Sequence, residues 1–137
     1  MASTSPTILV VDDDPMTRAM LRAYLDEAGY TVIEASGGPE AIGSFEESPP
    51  DLVLLDVVMP GMDGFETCRR LRELPVGAAV PIIMLTGSHE VTTIRRAYEA
   101  GATDFEIKSV SYLVLLQRIQ YLLRAKQSAD ELRDSEA

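Results

Sequence analysis

The chain has 137 residues and a formal net charge of −10, from 22 acids against 12 lysines and arginines. That length fits one domain with a real core, and the charge argues against direct binding to nucleic acid or to an acidic membrane. No apolar run approaches the ~18 residues of a membrane span. Met1 to Pro6 is short and polar without charged side chains, unlike a signal or transit peptide, so a cytoplasmic protein is expected. Cys68 is the single cysteine, which excludes an internal disulfide or a cysteine zinc cluster. It lies in the helical pattern FETCRRLREL and reads as an ordinary helix residue.

Taken in order, residues 1–6 form a lead-in, and Ile8-Leu9-Val10-Val11 is a short apolar run that stops at Asp12-Asp13-Asp14-Pro15. Three acids cannot continue a buried strand. Asp14 can cap a helix whose first position is Pro15, where proline is tolerated. Met16, Ala19, Met20, Ala23 and Tyr24 recur at helical spacing until Gly29 ends the helix. Tyr30 to Ala35 is rich in strand formers, and Ser36-Gly37-Gly38-Pro39 turns into a second helix carrying Ala41, Ile42 and Phe45. Ser48-Pro49-Pro50 breaks that helix before the central stretch, DLVLLDVVMPGMDG, from Asp51 to Gly64. Four apolar residues ending at the single acid Asp56 predict a strand buried on both faces.

Phe65 to Leu74 gives a third helix, Val80 to Leu85 a fourth strand ending at Thr86-Gly87, and Glu90 to Ala100 a fourth helix. Pro81 falls near the start of its strand, where proline is accepted. Thr103 to Ile107 is a fifth strand ending at Lys108, and Tyr112 to Arg124 a strongly apolar fifth helix. Strand and helix alternate with short connections and no internal repeat. That pattern predicts an α/β fold, a parallel sheet with helices on both faces and right-handed crossovers.

In such a sheet the C-terminal strand ends share one edge, where ligands bind. Asp12, Asp13, Asp56, Thr86 and Lys108 then converge. Crowded carboxylates repel unless a cation intervenes, and an all-oxygen set suits Mg²⁺. Thr86 and Lys108 add a donor and a fixed charge able to hold phosphoryl oxygens, leaving one carboxylate free to attack phosphorus.

The VDDDP after the first strand, the LLDVVMPGMDG stretch, the LTG after the fourth strand and the DFEIK of the fifth, taken together and in order, resemble the receiver domains of two-component response regulators. The resemblance spans roughly Ile8 to Arg124. It implies a flavodoxin-like, CheY-like, doubly wound five-stranded sheet of order 2-1-3-4-5, an order that periodicity alone would not select. It implies that Asp56 is the phosphoacceptor, that Asp12 and Asp13 organise Mg²⁺ (Asp13 directly, Asp12 through water), and that the Val58 backbone carbonyl is a further ligand. Thr86 and Lys108 would meet the phosphoryl group, Gly87 would leave room for it, and Thr86 with Phe105 would form the switch. The implied partners are a sensor histidine kinase or phosphotransfer protein. One departure is Ser109, where the family usually has a proline after the lysine; a trans Lys108–Ser109 bond is therefore expected, with Ser111 capping the fifth helix. Glu106 is an added acid near the output face. His89 reads as a surface loop residue, and Asp14, Asp51 and Asp63 as cap and turn residues.

Ala125 to Ala137 has strong helix formers and no breaker, so the fifth helix is expected to run through at least Ala129. Leu122, Ala125, Ala129 and Leu132 form a short heptad seam, below the length of a secure coiled coil but able to pair two copies in parallel. The stretch resembles the linker helix that joins receivers to PAS, GGDEF or kinase modules, and its uncapped stop suggests part of a larger protein. The expected organisation is a tail at 1–6, the receiver domain at 7–124 and a linker extension at 125–137. Two other readings remain. One is a Mg²⁺-dependent phosphatase with an aspartate nucleophile, resembling haloacid-dehalogenase enzymes, disfavoured by Pro15 and the lack of room for a cap domain. The other is a degenerate receiver used only for binding, disfavoured by the intact acidic set.

Overall fold

The computed structural model describes residues 5–87, 90–108 and 111–136. Five strands, β1 (Thr7–Val11), β2 (Thr31–Ala35), β3 (Leu52–Asp56), β4 (Ile82–Thr86) and β5 (Asp104–Ile107), alternate with five helices, α1 (Pro15–Glu27), α2 (Gly38–Glu47), α3 (Gly64–Glu73), α4 (Val91–Glu99) and α5 (Tyr112–Glu136). The strands are all parallel, in the order β2-β1-β3-β4-β5. The expected flavodoxin-like α/β fold and strand order are both present.

The unbroken apolar runs follow from burial on both faces. Side chains alternate across a strand, so Leu9 and Val11 of β1 and Val53 and Leu55 of β3 point to one side, where they pack with Phe45, Cys68, Leu71 and Ala97. Ile8, Val10, Leu52 and Leu54 point to the other, against Leu21 and Leu25 of α1 and Leu115 and Ile119 of α5. Helices α2, α3 and α4 thus cover one face, and α1 and α5 the other. Element boundaries shift by a residue or two from the sequence reading. β4 begins after Pro81, which has no N–H for the ladder but accepts the Val53 N–H at 2.9 Å.

Loops at the far edge of the sheet are held by Arg72. Its half-buried guanidinium donates to the carbonyls of Gly77, Val80 and Gly101 and to Thr103 Oγ1. Burial lowers its pKa, and fixed carbonyl dipoles stand in for a carboxylate partner. The helix α5 runs to Glu136, as an expected course through at least Ala129 allows. Its extension is laced by Lys126–Asp130, Arg133–Asp130 and Gln127–Glu131 pairs, neighbours three or four residues apart on the helix surface. The seam residues Ala125, Ala129 and Leu132 are exposed, Leu132 at 62%. No helix among the described residues is long and apolar enough to cross a membrane.

Candidate functional site

The candidate residues stand at the C-terminal ends of four strands, β1, β3, β4 and β5, along one edge of the sheet. Asp12 leaves β1 buried, with its N–H donated to Ala35 O at 3.2 Å and its Oδ1 accepting the Asp14 N–H at 2.9 Å. Asp14 caps α1, its carboxylate accepting from Met16 N–H and Thr17 Oγ1, while Asp13 is exposed beside it. Asp56 ends β3 and is 3% exposed. Its Oδ1 lies 3.1 Å from Lys108 Nζ and accepts the Val58 N–H at 3.4 Å. Lys108 is placed by its own backbone, whose N–H donates to Thr86 O at 2.7 Å. That bond also fixes the end of β4, where Thr86 is buried.

Burial raises the Asp56 pKa, and the neighbouring Asp12 carboxylate adds to the rise; Lys108 and the Val58 N–H oppose it without cancelling it. For Lys108, burial works against the ammonium, but Asp56 and Asp12 outweigh it and the pKa is raised. The site therefore holds more negative charge than its one lysine neutralises. Oxygens of Asp12, Asp13 and Asp56 all lie within 4.8 Å of one another. Asp12 Oδ2 is buried and makes no well-formed hydrogen bond; Lys108 Nζ stands 3.4 Å away as its ion-pair partner. An orphaned carboxylate oxygen in a close cluster of oxygen donors fits a hard divalent cation that keeps part of its water shell.

Val58 sits at the rim, 73% exposed. Phe105 is partly buried in the α2–α4 core, paired in register with Met84, two residues before Thr86. Thr86 and Phe105 thus share one face of the sheet. Ser111 caps α5, its Oγ accepting the Leu113 N–H at 3.2 Å. Asp63 caps α3 through the Glu66 N–H, and Asp51 accepts the Thr7 N–H at the opposite edge, so both are structural. Cys68 is fully buried, and burial raises its pKa. Glu106 is nearly buried and paired with Arg118, which Asp104 shares. His89 and the Lys108–Ser109 bond lie outside the described residues.

Two features of the site escape the sequence. Gly64 opens α3 with its Cα so near the end of β3 that a Cβ would meet Asp56 O at 2.2 Å. Arg18, on α1, donates from Nη1 to Asp12 O at 2.7 Å. A glycine after Asp63 hints at the first; nothing in the sequence marks the second.

A profile of the response regulator receiver domain matches residues 8–120. The chain is 44% identical over 125 residues to the transcriptional regulatory protein ResD of Bacillus subtilis, which covers 90% of this chain and 51% of that protein. It is 39% identical over 133 residues to the response regulator PleD of Caulobacter vibrioides, covering 97% of this chain and 29% of that one. This chain therefore spans about half of ResD and less than a third of PleD. Among solved structures, the CheY-like receiver domain protein of Methanospirillum hungatei superposes with a TM-score of 0.86 at 27% identity, over 91% of this chain and 98% of that one. With a family match across most of its length, and the strand order and acidic edge that the sequence implied, this chain belongs to the response regulator receiver domain family.

Proposed function

We propose that this receiver domain accepts a phosphoryl group from the phosphohistidine of a sensor histidine kinase, or of a phosphotransfer protein, onto Asp56. The observation that carries the reading is the buried Asp56 carboxylate held 3.1 Å from Lys108 inside a cluster of acids. A carboxylate oxygen of Asp56 attacks phosphorus. The P–N bond breaks, and its electron pair returns to the imidazole. Lys108 then neutralises phosphoryl charge, and Thr86 donates its hydroxyl to a phosphoryl oxygen. Asp12, Asp13, Asp56 and the Val58 carbonyl would hold Mg²⁺, which when bound supplies positive charge to the transferring group. Catalysis is positioning and charge neutralisation, and the domain is a switch that promotes its own phosphorylation and dephosphorylation.

The readout pairs Thr86 with Phe105. Thr86 moves toward the phosphoryl oxygens, and Phe105 repacks into the space left on the same sheet face, a shift between two packings. Residues 7–124 are the receiver and 125–137 the linker toward an output domain of PAS, GGDEF or kinase type. The share of its relatives that the chain spans and the exposed α5 seam both support this division. The seam also supports a homodimer in the longer protein. The location proposed is the cytoplasm, and the net charge of −10 supports a chain without direct contact to nucleic acid or an acidic membrane.

The test is mass spectrometry of the chain after incubation with a small phosphodonor and Mg²⁺. A stable gain of one phosphoryl group is expected. Steady turnover of the donor would favour a phosphatase, and no reaction a degenerate receiver.

The metal reading has its own check. Mg²⁺ binds the folded site and not the unfolded chain, so it stabilises by mass action, about 2.7 kcal/mol at a hundredfold excess over the dissociation constant. The melting temperature is expected to rise by several degrees in millimolar-range Mg²⁺ (roughly, from the same linkage). Asp13→Ala is expected to remove that rise, and a wild-type melting curve indifferent to Mg²⁺ counts against the site.

A further inference from the structure

We propose that Arg18, braced by Glu34, is a positioning residue for the acidic pair. It holds the Asp12–Asp13 turn in its metal-ready form and so sets the affinity for Mg²⁺. The inference rests on the metal reading above and assigns a role to two residues outside the acidic set.

The geometry is a closed bracket. The Asp12 N–H is taken by Ala35 O on β2 at 3.2 Å. The Asp12 carbonyl is taken by Arg18 Nη1 at 2.7 Å. Arg18 is anchored in turn through Nε to Glu34 Oε1 at 3.2 Å, and Glu34 is the β2 residue next to Ala35. Two consecutive residues of β2 therefore hold both ends of the Asp12 backbone, one directly and one through the guanidinium. The carbonyl that Arg18 grips belongs to the Asp12–Asp13 peptide, so the bond fixes the plane from which the Asp13 side chain departs. The Arg18 side chain is only 17% exposed and that of Glu34 28%. The bond to Asp12 O, at 2.7 Å, has the length of a charge-assisted bond, and the anchor to Glu34 is longer, at 3.2 Å. Glu34 is itself held by Arg22 Nη1 at 2.7 Å, so the brace is fastened from α1 at two points.

A plain α1–β2 ion pair makes a different forecast. It would contribute to stability and leave Mg²⁺ affinity alone. Pure electrostatics makes a third, because Arg18 is a cation near a cation site and its removal should tighten Mg²⁺ binding. Positioning alone predicts weaker binding, and the planar fork matters because it presents separate N–H groups to Asp12 O and Glu34 in a fixed relative direction, which a flexible ammonium does not.

The experiment is Mg²⁺ titration of the 137-residue chain by calorimetry, with melting curves in the absence of metal. Arg18→Met is expected to weaken Mg²⁺ binding about tenfold, the lower range for a partner that orients a metal ligand. Arg18→Lys keeps the charge and is expected to share most of the loss. Arg18→Lys therefore keeps the test open if Arg18→Met folds poorly, and Glu34→Gln, which loosens the anchor but also removes an anion, is expected to give a smaller loss that does not add to that of Arg18→Lys. Affinity equal to or tighter than wild type in these variants, with Mg²⁺ still bound by the wild type and lost in Asp13→Ala, overturns the positioning role alone. A wild type that binds no Mg²⁺ overturns the metal reading and this inference together.

Discussion

Asp56→Asn is expected to abolish acyl phosphate formation and, without Mg²⁺, to melt at a higher temperature than the wild type. The first effect follows from the chemistry, since an amide is not a nucleophile toward phosphorus under these conditions. Asp12 is as buried but lies farther from Lys108, at 3.4 Å against 3.1 Å, and its Oδ1 is taken by the Asp14 N–H, while Asp13 is exposed. Labelling by a small phosphodonor should fall to background. The second effect follows from the raised Asp56 pKa, which already includes the attraction to Lys108 and the Val58 N–H. Burial and Asp12 outweigh both, so the ionised carboxylate costs the fold free energy. The sign is that of a carboxylate titrating higher when folded. Its proton is bound more tightly in the native state, so stability is greatest below the ordinary carboxylate range and falls as pH rises through the raised value. Above that window the full cost is present, and asparagine removes it. The gain is expected as a clear rise in melting temperature at neutral pH, where the wild-type carboxylate is ionised. Below the ordinary carboxylate range the two melting curves should converge. Wild-type labelling in the variant would refute the phosphoacceptor, and a lower melting temperature at neutral pH would refute the charge argument. Added Mg²⁺ should narrow the gap, because the wild type has more negative charge for it to offset.

Much of this architecture was legible because a sheet covered on both faces writes itself into sequence. Ile8 to Val11 and Leu52 to Leu55 carry no polar residue until the chain emerges at the sheet edge, so the polar residue that ends each run is also the one placed at the site. The family resemblance supplied what periodicity does not, the strand order and the roles proposed for Thr86 and Phe105. The braces were not legible. Arg69, Arg70 and Arg72 stand together in one helix, two of them with about half their side chains exposed and paired to Glu66, and the third turned inward onto four loop acceptors. Local sequence does not distinguish them; only the path of the loops after α3 and α4 does. Arg18 is hidden in the same way, because its partners Asp12 and Glu34 come together only once β1 and β2 pair.

Gly64→Ala is expected to be the most damaging conservative change near the site. By helix propensity alone the substitution would look favourable, by about 0.8–1 kcal/mol in a helix interior. The structure reverses that sign. Gly64 donates its N–H to Val57 O at 2.8 Å, which draws the start of α3 against the end of β3. An added Cβ would lie 2.2 Å from Asp56 O, 2.8 Å from Val57 Cα and 3.0 Å from Asp56 C. All three are backbone atoms at the strand end that carries Asp56, so no side chain can rotate away. Either α3 moves out, opening the core around Phe65 and Cys68, or the Asp56–Val57 peptide shifts. Overpacking costs typically about 1–3 kcal/mol, and a backbone obstacle places this case at the upper end, a fall of roughly 10 °C in melting temperature. Activity should suffer as well, since about 1 Å of misplacement at a reacting group can cost roughly a hundredfold in rate. Gly87→Ala serves as the control, because a Cβ there meets nothing within 4 Å and the fold should keep its stability. A Gly64→Ala chain that melts with the wild type and labels at its rate would mean that the close approach of α3 to Asp56 plays no part in aiming the carboxylate.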